Sequence, residues 1–247
     1  IMANPPFNQK DWRGENELIT DPRWRGYEVP PKSNANYGWI LNMVSKLSEN
    51  GVAGFILANG ALSGGGEEYK IRRKLIENNL VEAILVLPQD MFYTTNISVT
   101  IWILNKNKKT QSRDIGDEKR QYRDREKEIL FMDLRQIGEP FEKKFIQFGD
   151  RHIKDIAATY HKWQQKNKGY KDIPEYCYSA SFDEIAKKDF SLVPSKYIEF
   201  VNRDENIDFD EKMQSLQSEF AELLKAEAAS KKDLLTVFKE LGYEIKL

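Results

Sequence analysis

The chain has 247 residues and a formal net charge of −1, with 40% hydrophobic and 31% charged residues. This composition is sufficient for a folded core, whereas the near-zero charge excludes the strong basic field that marks many nucleic-acid-binding proteins. The single cysteine, Cys177, excludes an internal disulfide and predicts a reducing, cytoplasmic setting, and no run approaches the roughly 18 apolar residues of a membrane span.

The chain begins with an apolar stub, Ile1-Met2-Ala3, followed by the rigid and polar loop Asn4-Pro5-Pro6-Phe7. The Asn4 side-chain oxygen and the Pro5 main-chain carbonyl are two hydrogen-bond acceptors that this loop would hold in fixed positions. The prolines stiffen the loop because each fixes its own φ and restricts the preceding residue. Phe7 offers a flat face on which a base can stack. The alternative is an ordinary turn at a strand end, since Asn-Pro commonly starts turns.

Residues 8–37 are polar, aromatic and irregular. A loop of this length is usually functional or disordered. Its composition favours a surface that meets a base or a phosphate, and the alternative is an insertion packed on its own aromatic residues. The residues concerned are Trp12, Trp24, Tyr27, Lys10, Arg13, Arg23, Arg25 and Lys32.

Alternating helical and strand patterns follow. Asn36 is a plausible cap for a helix that ends at Asn50-Gly51. Residues 52–57 and 81–87 are expected to be buried strands with a helix between them at about 67–78. Residues 97–104 form a further predicted strand, antiparallel to 81–87 because the connection is too short for a parallel crossover. This order predicts an α/β fold with a doubly wound sheet.

The middle of the chain is highly charged. Residues 105–128 contain almost no apolar side chains, which favours a solvated, mobile loop over a basic arm near nucleic acid. Residues 129–132 are predicted to be a strand. Residues 152–165 are predicted to be a helix with an apolar stripe that begins at Ile153. His152 and His161 lack partners at metal-ligand spacing, so no metal site is predicted.

The C-terminal part is expected to be helical. Residues 178–185 are typical of a loop and a short capped helix. After Asp208 a heptad-like pattern begins, and its apolar stripe must pack on the body of this protein or on another helix. The stripe consists of Phe209, Met213, Leu216, Phe220, Leu223, Leu234, Val237 and Leu241.

These motifs, taken in order, resemble the modification (methyltransferase) subunit of type I restriction–modification systems over nearly the whole chain. The matching stretches are Asn4 to Phe7, Val29 to Tyr37, Gly51 to Gly60, Leu87-Pro88, Met91-Phe92, Thr95 to Ile97 with Thr100, Phe182 to Ile185, and Pro194 to Tyr197.

The resemblance implies the back half of a Rossmann-like, S-adenosylmethionine-dependent methyltransferase sheet, mixed, with its last strand pair antiparallel, and a C-terminal helical region. It implies methylation of the N6 nitrogen of a flipped adenine in DNA, with Asn4, Pro5 and Phe7 as catalytic residues. Pro6, Lys32 and Asn34 are assigned to substrate binding. The implied partners are DNA, the specificity and restriction subunits of the type I complex, and a second modification subunit.

The resemblance is incomplete, which leaves alternative functions open. Nothing matches the family's glycine-rich cofactor motif, so the cofactor-binding residues are unknown and this stretch alone is expected to be inactive, as the back portion of a larger enzyme. The predicted division is a partial catalytic domain (1–150), a connecting region (151–206) and an assembly helix (207–247). The alternatives are a non-catalytic module that docks a specificity subunit, and part of a single-chain restriction–modification enzyme.

Overall fold

The computed structural model describes residues 1–92, 96–116, 118–142, 144–201 and 208–243. The described residues form ten strands and five α-helices. The strands are β1 (Met2–Ala3), β2 (Val52–Ala58), β3 (Val81–Val86), β4 (Val99–Asn105), β5 (Gln111–Ile115), β6 (Glu118–Tyr122), β7 (Glu128–Asp133), β8 (Glu139–Phe141), β9 (Phe145–Gln147) and β10 (Cys177–Ser181). The helices are α1 (Asn36–Lys46), α2 (Gly66–Glu77), α3 (Asp150–Gln164), α4 (Phe182–Lys187) and α5 (Phe209–Glu240).

Six strands form one mixed sheet in the order β1-β2-β4-β3-β7-β10. β1 is parallel to β2, and β3 is parallel to β7. β4 lies between β2 and β3 and is antiparallel to both, which confirms the predicted antiparallel pair. The strands β1, β2, β3 and β7 therefore share one direction. Their carboxyl ends meet at one rim of the sheet, called here the carboxyl rim, and the opposite rim is the amino rim.

Helices cover both faces of this sheet, as predicted for an α/β fold. On the first face, α1, α2 and α4 pack against strand side chains such as Phe55, Trp102 and Phe131. On the second face, α3 packs through Trp163 against a smaller cluster that contains Leu85 and Met132. Burying apolar surface on both sides is the main stabilising contribution to such a sheet.

The described residues of the charged segment 105–128 contain two strands and buried side chains, so the prediction of a solvated loop is wrong. β5 and β6 form an antiparallel hairpin at the amino rim. The flanking residues Lys108 and Arg125 are buried, and the Arg125 Nε donates to Glu82 Oε1 at 3.0 Å. The Lys108 ammonium donates to the carbonyls of Val81 and Glu128. The physical reason is that buried charges become tolerable when they are paired or hydrogen-bonded.

Smaller expectations also need correction. Asn36 is the first residue of α1 and not its cap, because its carboxamide is bonded elsewhere. Residues 177–181 form strand β10 rather than a loop, although α4 has the expected capping box, in which Ser181 and Glu184 bond reciprocally. Ile153 does not belong to the buried stripe of α3, since it is 54% exposed.

The chain separates into two compact units, Ile1–Phe200 and Val201–Leu247. The second unit contains α5, the predicted long helix, which Asp208 caps through hydrogen bonds from the amides of Asp210 and Glu211. No described residue of α5 is buried. The functional division at residues 150 and 206 stays a prediction. Within the described ranges, no helix combines the length and apolarity needed to cross a membrane.

Candidate active site

The loop Asn4 to Phe7 leaves the sheet at the carboxyl rim. Met2 pairs with Gly54 and Ala3 with Phe55, so Asn4 follows directly from the last paired residue of β1. Asn4 is exposed, and among the described residues no hydrogen-bond partner holds its carboxamide. In open α/β sheets, ligands bind outside the carboxyl ends of the strands. The loop is therefore placed where a substrate can reach it, with one amide side chain available.

A left-handed turn at Asn8 and two hydrogen bonds between Asn8 and Asn36, called here the Asn8–Asn36 clasp, fix the loop behind Phe7. Asn8 has a φ of +51°, a left-handed conformation that asparagine tolerates better than most residues. Its backbone N–H donates to Asn36 Oδ1 at 3.0 Å, and Asn36 Nδ2 donates to Asn8 Oδ1 at 2.9 Å. Asn36 is only 1% exposed and lies in the first turn of α1. A helix packed on the sheet thus holds the loop that carries Asn4.

The loop that follows, up to residue 35, packs largely on itself, as one of the two predictions for it stated. Trp12 Nε1 donates to the Pro31 carbonyl at 2.8 Å, and Trp24 Nε1 donates to the Leu18 carbonyl at 2.7 Å. The two indole rings meet edge to face at 6.2 Å. Arg13 donates to the Pro30 carbonyl through two nitrogens. These internal hydrogen bonds and ring contacts therefore give the stretch a defined conformation beside the Asn4 loop.

The residues assigned to substrate binding occupy different settings. Lys32 is exposed, and its ammonium lies 3.5 Å from a Glu15 carboxylate oxygen. The Asn34 side chain accepts from the Asn36 backbone N–H at 2.9 Å and donates to Asn8 Oδ1 at 3.3 Å. Asn34 therefore supports the clasp, and its contact with substrate stays a prediction, as do those of Pro6 and Lys32.

Phe7 lies on the second face of the sheet. It is half-buried and packs on the same cluster as Ile56, Met91 and Phe92. Met91 and Phe92 belong to a motif noted in the sequence, whose Thr95 lies outside the described residues. The ring is thus supported by other apolar side chains while part of it stays accessible.

Two further polar groups at the carboxyl rim were not singled out in the sequence. Asp133, at the end of β7, accepts a bidentate pair of hydrogen bonds from Arg135. This pairing raises the pKa of the Arg135 guanidinium. Asn59, which follows β2, has a buried side-chain oxygen with no partner among the described residues. Both residues line a cavity of about 330 Å³. In the sequence, each could have been recognised as a polar residue at the end of a buried, apolar stretch.

The donor side of a methyl transfer is not evident in the described residues. The glycine-rich stretch 64–66 leads into α2, whose first turn carries Glu67 and Glu68. Burial raises the pKa of the Glu68 carboxyl. These carboxylates disfavour an anion such as a phosphate at the start of α2. Separately, no residue here is assigned to the adenosyl or methionine part of a methyl donor.

The sequence pattern of the N-6 DNA methylase family matches residues 1–206. The methylase subunit of the HindI type I restriction enzyme from Haemophilus influenzae is 40% identical over 250 residues, covering 99% of this chain and 52% of that protein. The MjaIX methylase subunit from Methanocaldococcus jannaschii is 31% identical over 249 residues, covering 98% of this chain and 42% of that protein. The chain thus spans about half the length of these curated relatives.

Solved structures agree in fold. The type I restriction–modification methyltransferase subunit from Streptococcus thermophilus superposes with a TM-score of 0.66 at 27% identity, covering 81% of this chain and 38% of that one. The M protein of the type I restriction enzyme EcoKI superposes with a TM-score of 0.56 at 18% identity, covering 90% and 48%. The second likeness bears on the fold alone.

Proposed function

The chain belongs to the N-6 DNA methylase family, and from this premise we propose that the full-length protein is a cytoplasmic, site-specific DNA adenine methyltransferase. It transfers a methyl group from S-adenosylmethionine to the N6 nitrogen of adenine, as the modification subunit of a type I restriction–modification system. The observation that carries the proposal is the Asn4 to Phe7 loop, which stands at the carboxyl rim with the Asn4 carboxamide exposed.

The acceptors of the loop act on the adenine amino group. The lone pair of this nitrogen is delocalised into the ring, so the nitrogen is a weak nucleophile. Asn4 Oδ1 and the Pro5 carbonyl each accept one amino hydrogen and favour a tetrahedral nitrogen with a localised lone pair. Because the prolines and the Asn8–Asn36 clasp hold the loop, these dipoles need little reorganisation during the reaction.

Phe7 positions the base. An enzyme that modifies a base takes it out of the duplex stack and holds it in a pocket. Stacking of a base on an aromatic side chain is worth about 1–3 kcal/mol. When bound, S-adenosylmethionine supplies the electrophilic methyl group, and the residues described here serve the acceptor side of the reaction.

The test is Asn4→Ala in the full-length protein. Loss of one preorganised polar contact is expected to lower the turnover of DNA methylation by about 10²–10³. DNA affinity should change little, because phosphate contacts supply most of it. The matched control is Asn50→Ala, an exposed asparagine at the amino rim whose side chain accepts from Asn107. Near-wild-type turnover of the Asn4 variant in a labelled-methyl assay would refute the catalytic assignment.

A second function, assembly, is favoured by α5. This helix has 32 residues, none of them buried, and the apolar stripe from Phe209 to Leu241 stays exposed. Burial of a side chain of this size is worth roughly 1.5–3 kcal/mol, so a partner surface would stabilise the helix strongly. The proposed partner is the specificity subunit, in a complex that also holds a restriction subunit and a second modification subunit.

The pair Leu216→Asp and Phe220→Asp tests this assembly role. Capture of the full-length protein by the specificity subunit should be abolished, while circular dichroism of the fold stays unchanged. The control pair Gln214→Asp and Ser218→Asp adds the same charge at the same spacing on another side of α5 and should leave capture intact. Unfolding of the whole protein by the first pair would show that the stripe belongs to the internal core.

A further inference from the structure

Positive charge is concentrated on α3 and the loop after it. Residues 151–171 contain six lysines and arginines and one acidic residue, in a chain whose net charge is −1. All six basic side chains are exposed. They are Arg151, Lys154, Lys162, Lys166, Lys168 and Lys171. The average charge of the chain therefore conceals an exposed stretch that is rich in basic side chains, called here the basic surface.

Part of this surface is a groove. A cavity of about 540 Å³ lies between α3 and the turn that follows β7, with Arg151 and Lys162 along its helical wall. Arg151 is 3.8 Å from Asp155, but the two side chains are 91% and 70% exposed, and such exposed pairs are weak. Thr159 and Tyr176 form the polar floor, where the Tyr176 hydroxyl donates to Thr159 Oγ1.

One side of the groove is at the carboxyl rim, because residues 136–138, which follow β7, line it. α3 packs on the second face of the sheet, the face on which Phe7 lies. The hairpin β8–β9 leads into the start of α3, and its Ile146 N–H donates to the Asp90 carbonyl, close to the end of β3. The start of α3 therefore lies toward the same rim as the Asn4 loop, whereas Lys166 lies beside β6 at the amino rim, where its backbone N–H donates to the Gln121 carbonyl.

The basic residues around β5 and β6 form a contrast. They lie at the amino rim, where Lys108 and Arg125 are buried and Arg123 is paired with Glu128 at 2.7 Å. Lys109, Lys119 and Lys127 are exposed there, and they provide a matched set of cations far from the carboxyl ends of the strands.

We propose that the groove on α3 binds the phosphodiester backbone of duplex DNA, as a contact surface separate from the Asn4 loop. The inference rests on the proposed function, which makes DNA the substrate. Arg and Lys side chains neutralise phosphates, and Gln, Thr and Tyr side chains donate hydrogen bonds to phosphate oxygens. Gln136 offers such a group in the same groove as Arg151 and Lys162, whereas the Thr159 and Tyr176 hydroxyls already donate to the Asp155 carbonyl and to Thr159 Oγ1. The groove fixes the duplex while the rim loop works on one base.

The experiment measures salt dependence in the full-length protein. Fluorescence anisotropy of a labelled duplex is followed over a series of KCl concentrations for the triple variant Arg151→Gln, Lys154→Gln, Lys162→Gln. Each lost phosphate contact lowers the slope of log K against log salt by about 0.9, so the slope should fall by about 2–3. The weakening should be similar for unrelated sequences. The control Lys109→Gln, Lys119→Gln, Lys127→Gln removes the same charge from the amino rim and should keep the wild-type slope.

Several outcomes overturn the inference, and they are separable from failure of the proposed function. Equal slopes for both triple variants, each folded by circular dichroism, would refute the groove. Loss of subunit assembly with an unchanged slope would show that the groove receives an acidic protein surface instead. If the groove variant shows the expected fall in slope but the wild-type protein transfers no methyl group, the proposed function fails and the DNA-binding role of the groove is supported. If the wild-type protein methylates DNA and the groove variant keeps the wild-type slope, only the DNA-binding role of the groove is refuted.

Discussion

One polar cluster at the amino rim and Asn4 at the carboxyl rim differ in how far their hydrogen-bonding groups are used inside the protein. At the amino rim, Glu82 and Arg125 are almost fully buried and bonded to each other, and Lys108 donates to two backbone carbonyls. At the carboxyl rim, Asn4 is exposed and its carboxamide lacks a partner among the described residues. Polar groups whose bonding capacity is used inside the protein support the fold, whereas those left available at a strand end can act on a ligand.

The largest expected effect comes from breaking the amino rim with Arg125→Met. This change leaves the Glu82 carboxylate buried without the cation that is hydrogen-bonded to it, and removal of one partner of a buried ion pair costs about 3–5 kcal/mol. Urea unfolding followed by tryptophan fluorescence measures the loss.

The double variant Glu82→Leu, Arg125→Met sharpens this test. Replacing both charges removes the uncompensated carboxylate, so the double variant should be clearly more stable than the single one. If the two variants unfold at the same urea concentration, the ion pair does not account for the stability of this rim.

A smaller effect is expected at the carboxyl rim from Asn36→Ala. The change leaves the Asn8 N–H without its acceptor, at a cost of about 1–3 kcal/mol. Because Asn8 fixes the loop that is proposed to be catalytic, kcat of DNA methylation by the full-length protein should also fall, by up to about 10²-fold for a displacement near 1 Å. Thermal unfolding and single-turnover methylation are measured together. A loss of stability with unchanged kcat would mean that the clasp does not position Asn4.

The smallest expected effect is a pH dependence at Lys108. Burial lowers the pKa of the Lys108 ammonium from 10.5 to about 8. Between these values the unfolded chain holds a proton that the folded protein has released, so the free energy of unfolding rises with pH. Lys108→Met removes this rise, which should be on the order of 1–2 kcal/mol between pH 7.5 and 9.5.

Urea midpoints of wild type and Lys108→Met at these two pH values provide the measurement. Burial also raises the pKa of Tyr37 and Tyr197, which destabilises the fold above pH 10. This contribution is common to both proteins and cancels in their difference. If the urea midpoints of the two proteins change by the same amount between the two pH values, Lys108 keeps an ordinary pKa in the folded protein.

Much of the sheet was predictable because burial leaves a local pattern. A continuous apolar run marked β2, and a mostly apolar run that includes Glu82 marked β3. The short connection before β4 predicted its antiparallel pairing, which the register confirms. The heptad pattern located α5 within a residue or two of Phe209–Glu240. Each of these patterns reflects side chains that are neighbours in sequence.

The charged segment 105–128 could not be predicted in the same way. Its density of charge is typical of solvated loops, yet Arg125 and Lys108 are buried because Glu82 and the Val81 and Glu128 carbonyls surround them. These partners lie as far as 43 residues away in sequence. A local window holds no information about them.

The sequence by itself determined the class of fold, the family resemblance and the Asn4 to Phe7 loop, since these depend on residue types in short stretches. Only the tertiary structure decided which charges are structural and which stay available. It brought Asn36 onto Asn8, set the β5–β6 hairpin at the rim away from the Asn4 loop, and placed Arg151 and Lys162 of α3 along one groove. The reason is physical: apolar burial is encoded by local periodicity, whereas the state of a polar group depends on partners that only the folded chain brings within hydrogen-bonding distance.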